Sequence, residues 1–328
     1  TQSVLVTDIT TEKNQTKGQL SLFPTEMQQL EREILDQYEG MGIVDIPALR
    51  QQNPRLDLAA KIAEQNHFMH WELEFADLFA ERGGFDLIIG NPPWIKIEWN
   101  EQNVLSDANP MFAVKKLSAI QTTHERSHAL ENIATRKIYF AEYEAMFGEQ
   151  SFLGATQNYP NLKGAVNMYK CFLPMAWENG NVNGVSAFVH PDGVYDDPKG
   201  GSLRRKLYSK LRYHFQFQNE LMLFQDVAHR HIFSLNVYCN KNSNGFDSIS
   251  NLFNANTVVE CYDNGGKTKL MGLKDDDGNW NIVGHPDRII RVTKQELTLF
   301  AKLFDDSEKW EEARLPVLHA KQLVEVLE

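Results

Sequence analysis

At 328 residues the chain is long enough for two domains and a substantial core, and its composition is that of an ordinary globular protein. The net charge of −11 argues against a protein that coats nucleic acid indiscriminately, although it leaves room for a local basic face. No apolar run approaches a membrane span and the start lacks a basic-then-apolar signal pattern, which predicts a cytoplasmic protein; Cys171, Cys239 and Cys261 are too widely spaced for a disulfide framework or a zinc site.

The first 25 residues are polar, carry little pattern and read as a linker. A helix follows with Met27, Leu30, Ile34 and Tyr38 on one face, and a second is expected over residues 56–66, after Pro54. Glu39-Gly40-Met41-Gly42 holds two glycines but follows a helix, so it reads as a cap or turn. After Gly83-Gly84, residues 85–90 predict a strand. Leu87, Ile88 and Ile89 are a continuous apolar run, as in a parallel strand covered on both faces.

Asn91-Pro92-Pro93-Trp94 then forms a stiff loop. Two prolines fix φ and remove N–H donors, and Pro92 restricts Asn91 to extended geometry. An amide, a free Pro92 carbonyl and an indole are thus held at the carboxyl end of a strand, where open α/β sheets place ligands. Two fixed acceptors suit the two N–H groups of an exocyclic amine. An aromatic face suits a planar base, which must leave its duplex to reach such a pocket.

Residues 95–164 read as a long insertion, mostly helical over 117–147 and ended by Gly148. Asn161-Leu162-Lys163-Gly164 leads into residues 165–173, and the helix that opens there runs toward Trp177 and stops at Asn179-Gly180. Residues 185–191 predict the next strand, followed by a loop from Asp192 to Gly201. Residues 199–212 hold six cations and no acid; Leu203, Leu207 and Leu211 repeat every four residues toward a core. Lys199, Arg204 and Arg205, with Lys206, Lys210 and Arg212, are then left for DNA phosphates or for a merely solvated face. Strand-like segments follow at 215–217, 220–224 and 232–238. From 241 the texture changes to short strand-like pieces, Thr257–Glu260 and Leu270–Leu273, in polar turns. Thr293 and Glu296 form a capping box before Leu297, Phe300, Leu303 and Phe304, and residues 324–328 continue an amphipathic helical pattern.

The segment 85–94 closely resembles motif IV of the amino-directed DNA methyltransferases, an Asn-Pro-Pro followed by an aromatic. Trp71, Glu72, Glu74 and Phe75 resemble the approach to that motif in large single-chain restriction–modification methylases. Residues 165–173 resemble the family's motif V, with Met168 in place of the usual Leu. The resemblance spans roughly residues 68–240. It implies an α/β fold, the C-terminal half of a class I (Rossmann-like) methyltransferase sheet with the helical insertion at 95–164. Residues 1–67 would be a linker and helical segment, and 241–328 the start of a mixed α+β target-recognition region.

The resemblance further implies transfer of a methyl group from S-adenosylmethionine to adenine N6, or less often cytosine N4, of double-stranded DNA in a restriction–modification or phage-defence system. Asn rather than Ser before the prolines leans toward adenine. Asn91 and Pro92, stiffened by Pro93, would orient the amine, Trp94 would stack on the flipped base, and Asp86 or its neighbours would support the loop. Phe233 would face the base from the other side. No cofactor loop of the Phe-x-Gly-x-Gly kind stands on either side of the motif. The expectation is therefore a piece of a longer enzyme whose S-adenosylmethionine site lies mostly outside this chain, with double-stranded DNA and other defence-system subunits as the partners the resemblance implies.

No metal is expected. Pro191-Asp192 and Asp197-Pro198-Lys199 mimic a nuclease signature but share one loop, and His229 and His231 lack further ligands. Two rivals stand: a catalytically inactive DNA-binding or specificity module, and a methyltransferase acting on an amine in protein or RNA.

Overall fold

The computed structural model describes residues 46–115, 117–162, 167–263, 265, 266 and 269–327. The expected helix around Met27–Tyr38, the Gly40/Gly42 pair and residues 163–166 lie outside the described residues. The chain divides into two units between His70 and Trp71. In the first, α1 (Ile46–Gln52) and α2 (Pro54–Asn66) are joined by Asn53, whose side chain caps α2 at the N–H of Arg55. Arg50 reaches back to Asp57 at 3.2 Å and to Glu64 at 3.5 Å.

The second unit opens with a single helical turn at Trp71–Glu74, followed by α3 (Ala76–Arg82) and β1 (Phe85–Gly90). An insertion follows, of α4 (Glu101–Ala108), α5 (Ala119–Ala129) and α6 (Ile133–Gly154). Then come α7 (Met168–Asn179), β2 (Gly180–Pro191), α8 (Gly201–Lys210), β3 (Leu211–Gln218), β4 (Ile232–Cys239) and β5 (Phe246–Leu252). The unit closes with α9 (Asn256–Asp263), β6 (Ile290–Val292), α10 (Lys294–Asp305) and α11 (Gln322–Leu327). Among the described residues no helix is long and apolar enough to cross a membrane.

The six strands form one mixed sheet in the order β1-β2-β4-β3-β5-β6. β1 and β2 are parallel, as are β3 and β5, while β4 and β6 run antiparallel to their neighbours. The carboxyl ends of β1, β2, β3 and β5 therefore lie along one edge, with the starts of β4 and β6. Alternation along β2 sends Phe188 and His190 to one face and Ala187 and Val189 to the other. On the first face α7 buries Tyr169, Leu173 and Trp177, and α8 buries Leu203, Leu207 and Tyr208, against Phe188, Tyr238 and Phe246. On the other, Phe217, Phe233, Ile249 and Leu252 pack together, with Cys261 of α9 covering the β5 side. The insertion has its own small core of Leu105, Phe112 and Tyr139.

Several expectations need correction. Among the described residues β1 lies at the edge of the sheet and nothing covers Leu87 (57% exposed) or Ile89 (73% exposed); of the three, only Ile88 joins the core. Thr257–Glu260 is helix, because Thr257 and Cys261 share one buried face of α9 and the side chain of Asn254 holds its first turn at the N–H of Asn256. Leu270–Leu273 forms no strand; an isolated bridge joins Lys274 to Trp280. α6 passes through Gly148, which a helix interior tolerates at modest cost, and ends at Gly154. Residues 220–224 lie in a turn in which Met222 takes a left-handed φ of 53°. Strands β4 and β5, on either side of position 241, belong to the same sheet. The Thr293–Glu296 capping box is present, with both reciprocal hydrogen bonds.

Candidate functional site at the carboxyl edge of the sheet

Gly90 is the last residue of β1 to pair, opposite Phe188, and a Cβ there would come within 3.3 Å of that ring. Beyond it the chain leaves the sheet as Asn91–Trp94. Pro92 is buried, while Asn91 is exposed and its amide meets no partner among the described residues. With no β1 residue opposite it, the carbonyl of Val189 receives the indole N–H of Trp94 at 3.2 Å.

The Trp94 ring rests on Phe233 (centroids 5.8 Å apart, planes at 33°) and meets Phe224 edge-on at 5.9 Å. Phe224 and Phe233 are 4.9 Å apart, and Phe217 stacks on Phe233 at 5.5 Å. The structure thus brings Trp94 and Phe233 together, but in contact. A base held between them needs about 7 Å, two stacking distances, so one ring must give way or the base must lie beside the pair. Phe224 went unread in the sequence, where residues 220–224 resemble a strand.

The chain after Trp94 is clamped. Ile95 accepts the N–H of Met168 at 2.8 Å, Lys96 bridges Asn167, and Ile97 accepts from the Gln150 amide at 2.7 Å. Beside Asn91–Pro93 lies a hollow of about 410 Å³ lined by Phe85, Leu87, Phe172, Met175 and Phe188 among others, with Asn91 and Asn179 as its polar side chains. Asp86 does not support the loop. It sits at the far end of β1, about 16 Å of extended chain away, where it pairs with Arg82 and accepts from Asn181 at 2.6 Å.

The loop after β2 has turned its polar groups inward. Asp192 accepts from Gln216 at 2.6 Å and meets His214 Nε2 at 2.9 Å, while His214 Nδ1 meets the Ser248 hydroxyl at 2.9 Å. Burial raises the Asp192 carboxyl, but His214 and the hydrogen bonds outweigh it and hold the group below the usual carboxylate range. His190 Nδ1 faces the Pro191 carbonyl, which can only accept, so this nitrogen carries the proton. Its Nε2 then accepts from Tyr238 at 2.9 Å and from Asn236 at 3.0 Å. Burial pushes His190 down to about 4. Asp197 pairs with Lys170 at 2.7 Å. Both acids of the nuclease-like signature are therefore engaged with protein groups.

The basic helix divides. Arg204, expected to face DNA, is 2% exposed and donates to the carbonyls of Val194 (3.2 Å), Asp197 (2.7 Å) and Glu312 (3.0 Å). It holds the loop to the C-terminal segment, because the loop folds back over the helix face next to the leucine stripe. Arg205 is half-exposed and pairs with the Glu312 carboxylate, and Lys199 is exposed.

A family model described as Eco57I restriction-modification methylase matches residues 3–233. A comparison with curated proteins finds no match. Two solved structures resemble the chain. One is an ATP-dependent Type ISP restriction-modification enzyme, LlaBIII, bound to DNA, at 9% identity, TM-score 0.27, covering 50% of this chain and 10% of that one. The other is a cryo-EM structure of a DrdV–DNA complex, at 14% identity, TM-score 0.27, covering 50% of this chain and 14% of that one.

Proposed function

We propose, from the premise that this chain belongs to the Eco57I restriction-modification methylase family, that it carries the base-binding part of a DNA adenine-N6 methyltransferase. The observation that supports this best is the exposed Asn91 amide, without a partner among the described residues, held by two prolines at the carboxyl end of β1 three residues before Trp94, whose ring packs with Phe224 and Phe233. The Asn91 oxygen and the Pro92 carbonyl accept the two hydrogens of the adenine amine and fix its orientation. Trp94 supplies a face for the base. The chemistry asked of these residues is positioning, which is worth several orders of magnitude when the geometry is near the reacting one. Lys199 and Arg205 are retained as phosphate contacts, whereas Arg204 is not.

Methylases of this family use S-adenosylmethionine in general. The described residues do not fit it by themselves: the hollow beside Asn91 is lined by apolar side chains and two amides, with no carboxylate to receive ribose hydroxyls. That absence favours, as a second reading, a DNA-binding module without transfer.

Incubation of the complete native protein with DNA, RNA and labelled methyl donor, followed by digestion to nucleosides, separates these readings. Label in N6-methyldeoxyadenosine supports the proposal. Label in RNA or protein alone, or duplex binding with no label, points to the rivals.

A further inference from the structure

The turn from β3 to β4, residues 219–231, carries an apolar tip on a stapled stem. Asn219 is fully buried. Its side chain donates to the carbonyls of Phe224 (2.8 Å) and Val227 (2.7 Å) and accepts from the N–H of Phe224 (2.9 Å). Its backbone N–H closes the stem on the His231 carbonyl at 3.0 Å. Phe224 anchors the turn in the Trp94–Phe233 cluster. Immediately before it, Leu221 (48%), Met222 (45%) and Leu223 (43%) stand exposed in succession, turned outward by the left-handed backbone of Met222.

Three consecutive apolar side chains at an exposed turn are unfavourable in water and mark a contact surface. They do not serve the core, since Phe224 does that from the next position. They directly precede Phe224, whose ring meets that of Trp94 at 5.9 Å. His229, Arg230 and His231 are exposed on the returning limb, with Glu220 and Asp226 as the acids of the same turn.

We propose that Leu221–Leu223 is a wedge that enters the base stack of duplex DNA where the target adenine leaves it, with Arg230 on an adjacent phosphate. The proposal rests on the adenine-methyltransferase reading of the Asn91 site. Extruding a base costs a few kcal/mol of unstacking, and apolar side chains inserted between base steps offset that cost in other DNA-bending proteins. The stapled stem holds the tip in one shape before DNA arrives, so little ordering remains to be done on binding.

The test compares the complete native protein with its Leu221→Ser, Met222→Ser, Leu223→Ser variant on two substrates. One is the paired target duplex, the other the same duplex with a mismatch opposite the target adenine, which lowers the cost of extrusion. Transfer by the variant should fall about tenfold or more on paired DNA and return to within about twofold of the parent on mismatched DNA. Unchanged transfer to paired DNA overturns the wedge and assigns the tip to another partner, such as a protein surface. An equal loss on both substrates also overturns it, leaving the turn a structural support. A parent protein inactive on both substrates instead overturns the underlying reading of the site.

Discussion

Asn91 and Asp192 each stand one residue past the end of neighbouring parallel strands, β1 and β2, yet their polar groups have opposite fates. Asp192 turns onto the helix-covered face, where His214 and Gln216 sit in register on β3, and its carboxylate is consumed within the protein. Asn91 is followed by two prolines that deny it a neighbouring backbone N–H, and it keeps its amide for something else. The lesson is that position at the carboxyl edge is not enough to make a functional residue; the neighbours must also leave its hydrogen-bonding capacity unspent. By that measure the loop after β1 keeps the hydrogen-bonding capacity that the proposed function needs, and the loop after β2 has spent its own within the protein.

The comparison can be broken at the loop after β2 first. Arg204→Ala should lower stability by about 4 kcal/mol, since three carbonyls lose their donor in a buried setting. Chemical denaturation measures it. Unchanged stability with weaker, less salt-dependent DNA binding would return Arg204 to the DNA face.

His190 gives the next largest effect. Its folded pKa of about 4 lies below the ordinary 6.5, so the folded state refuses a proton that the unfolded chain accepts. Stability should be intact above pH 6.5 and decline as pH falls toward 4, by about 3 kcal/mol in total. Denaturation midpoints across that window, compared with His190→Gln, isolate the contribution; parallel pH profiles would exclude it.

On the ligand loop, Trp94→Phe keeps a ring but loses the N–H bond to Val189, and should cost about 1 kcal/mol in stability. A larger share of its effect should appear in substrate KM, because the ring's orientation is what the bond fixes. Arg205→Ala, an exposed ion pair with Glu312, should change stability by only about 0.5 kcal/mol, and a loss near that of Arg204→Ala would remove the contrast between the two arginines.

Much of this site was legible in the chain because its determinants are local. Proline dihedrals stiffen residues 91–94 whatever lies around them, and the Thr293–Glu296 box specifies a helix start within four residues. The leucine stripe of α8 also declared its buried face. Arg204 did not, because one of its partners, the Glu312 carbonyl, lies 108 residues away. Phe224 was hidden for a local reason: the residue that folds its turn is the buried amide of Asn219, five positions earlier, and the run of apolar residues between them reads as a strand. The β-branched Thr257-Val258-Val259 suggested extension, and only the shared burial of Thr257 and Cys261 reveals a helix.

The most direct test is Asn91→Ala in the native gene, read by modified-base sequencing of host DNA together with the thermal stability of the purified variant. The account predicts loss of N6-methyladenine at one defined sequence, with transfer reduced by about a hundredfold or more and stability within about 0.5 kcal/mol of the parent. An unchanged methylation map with a folded variant would contradict it.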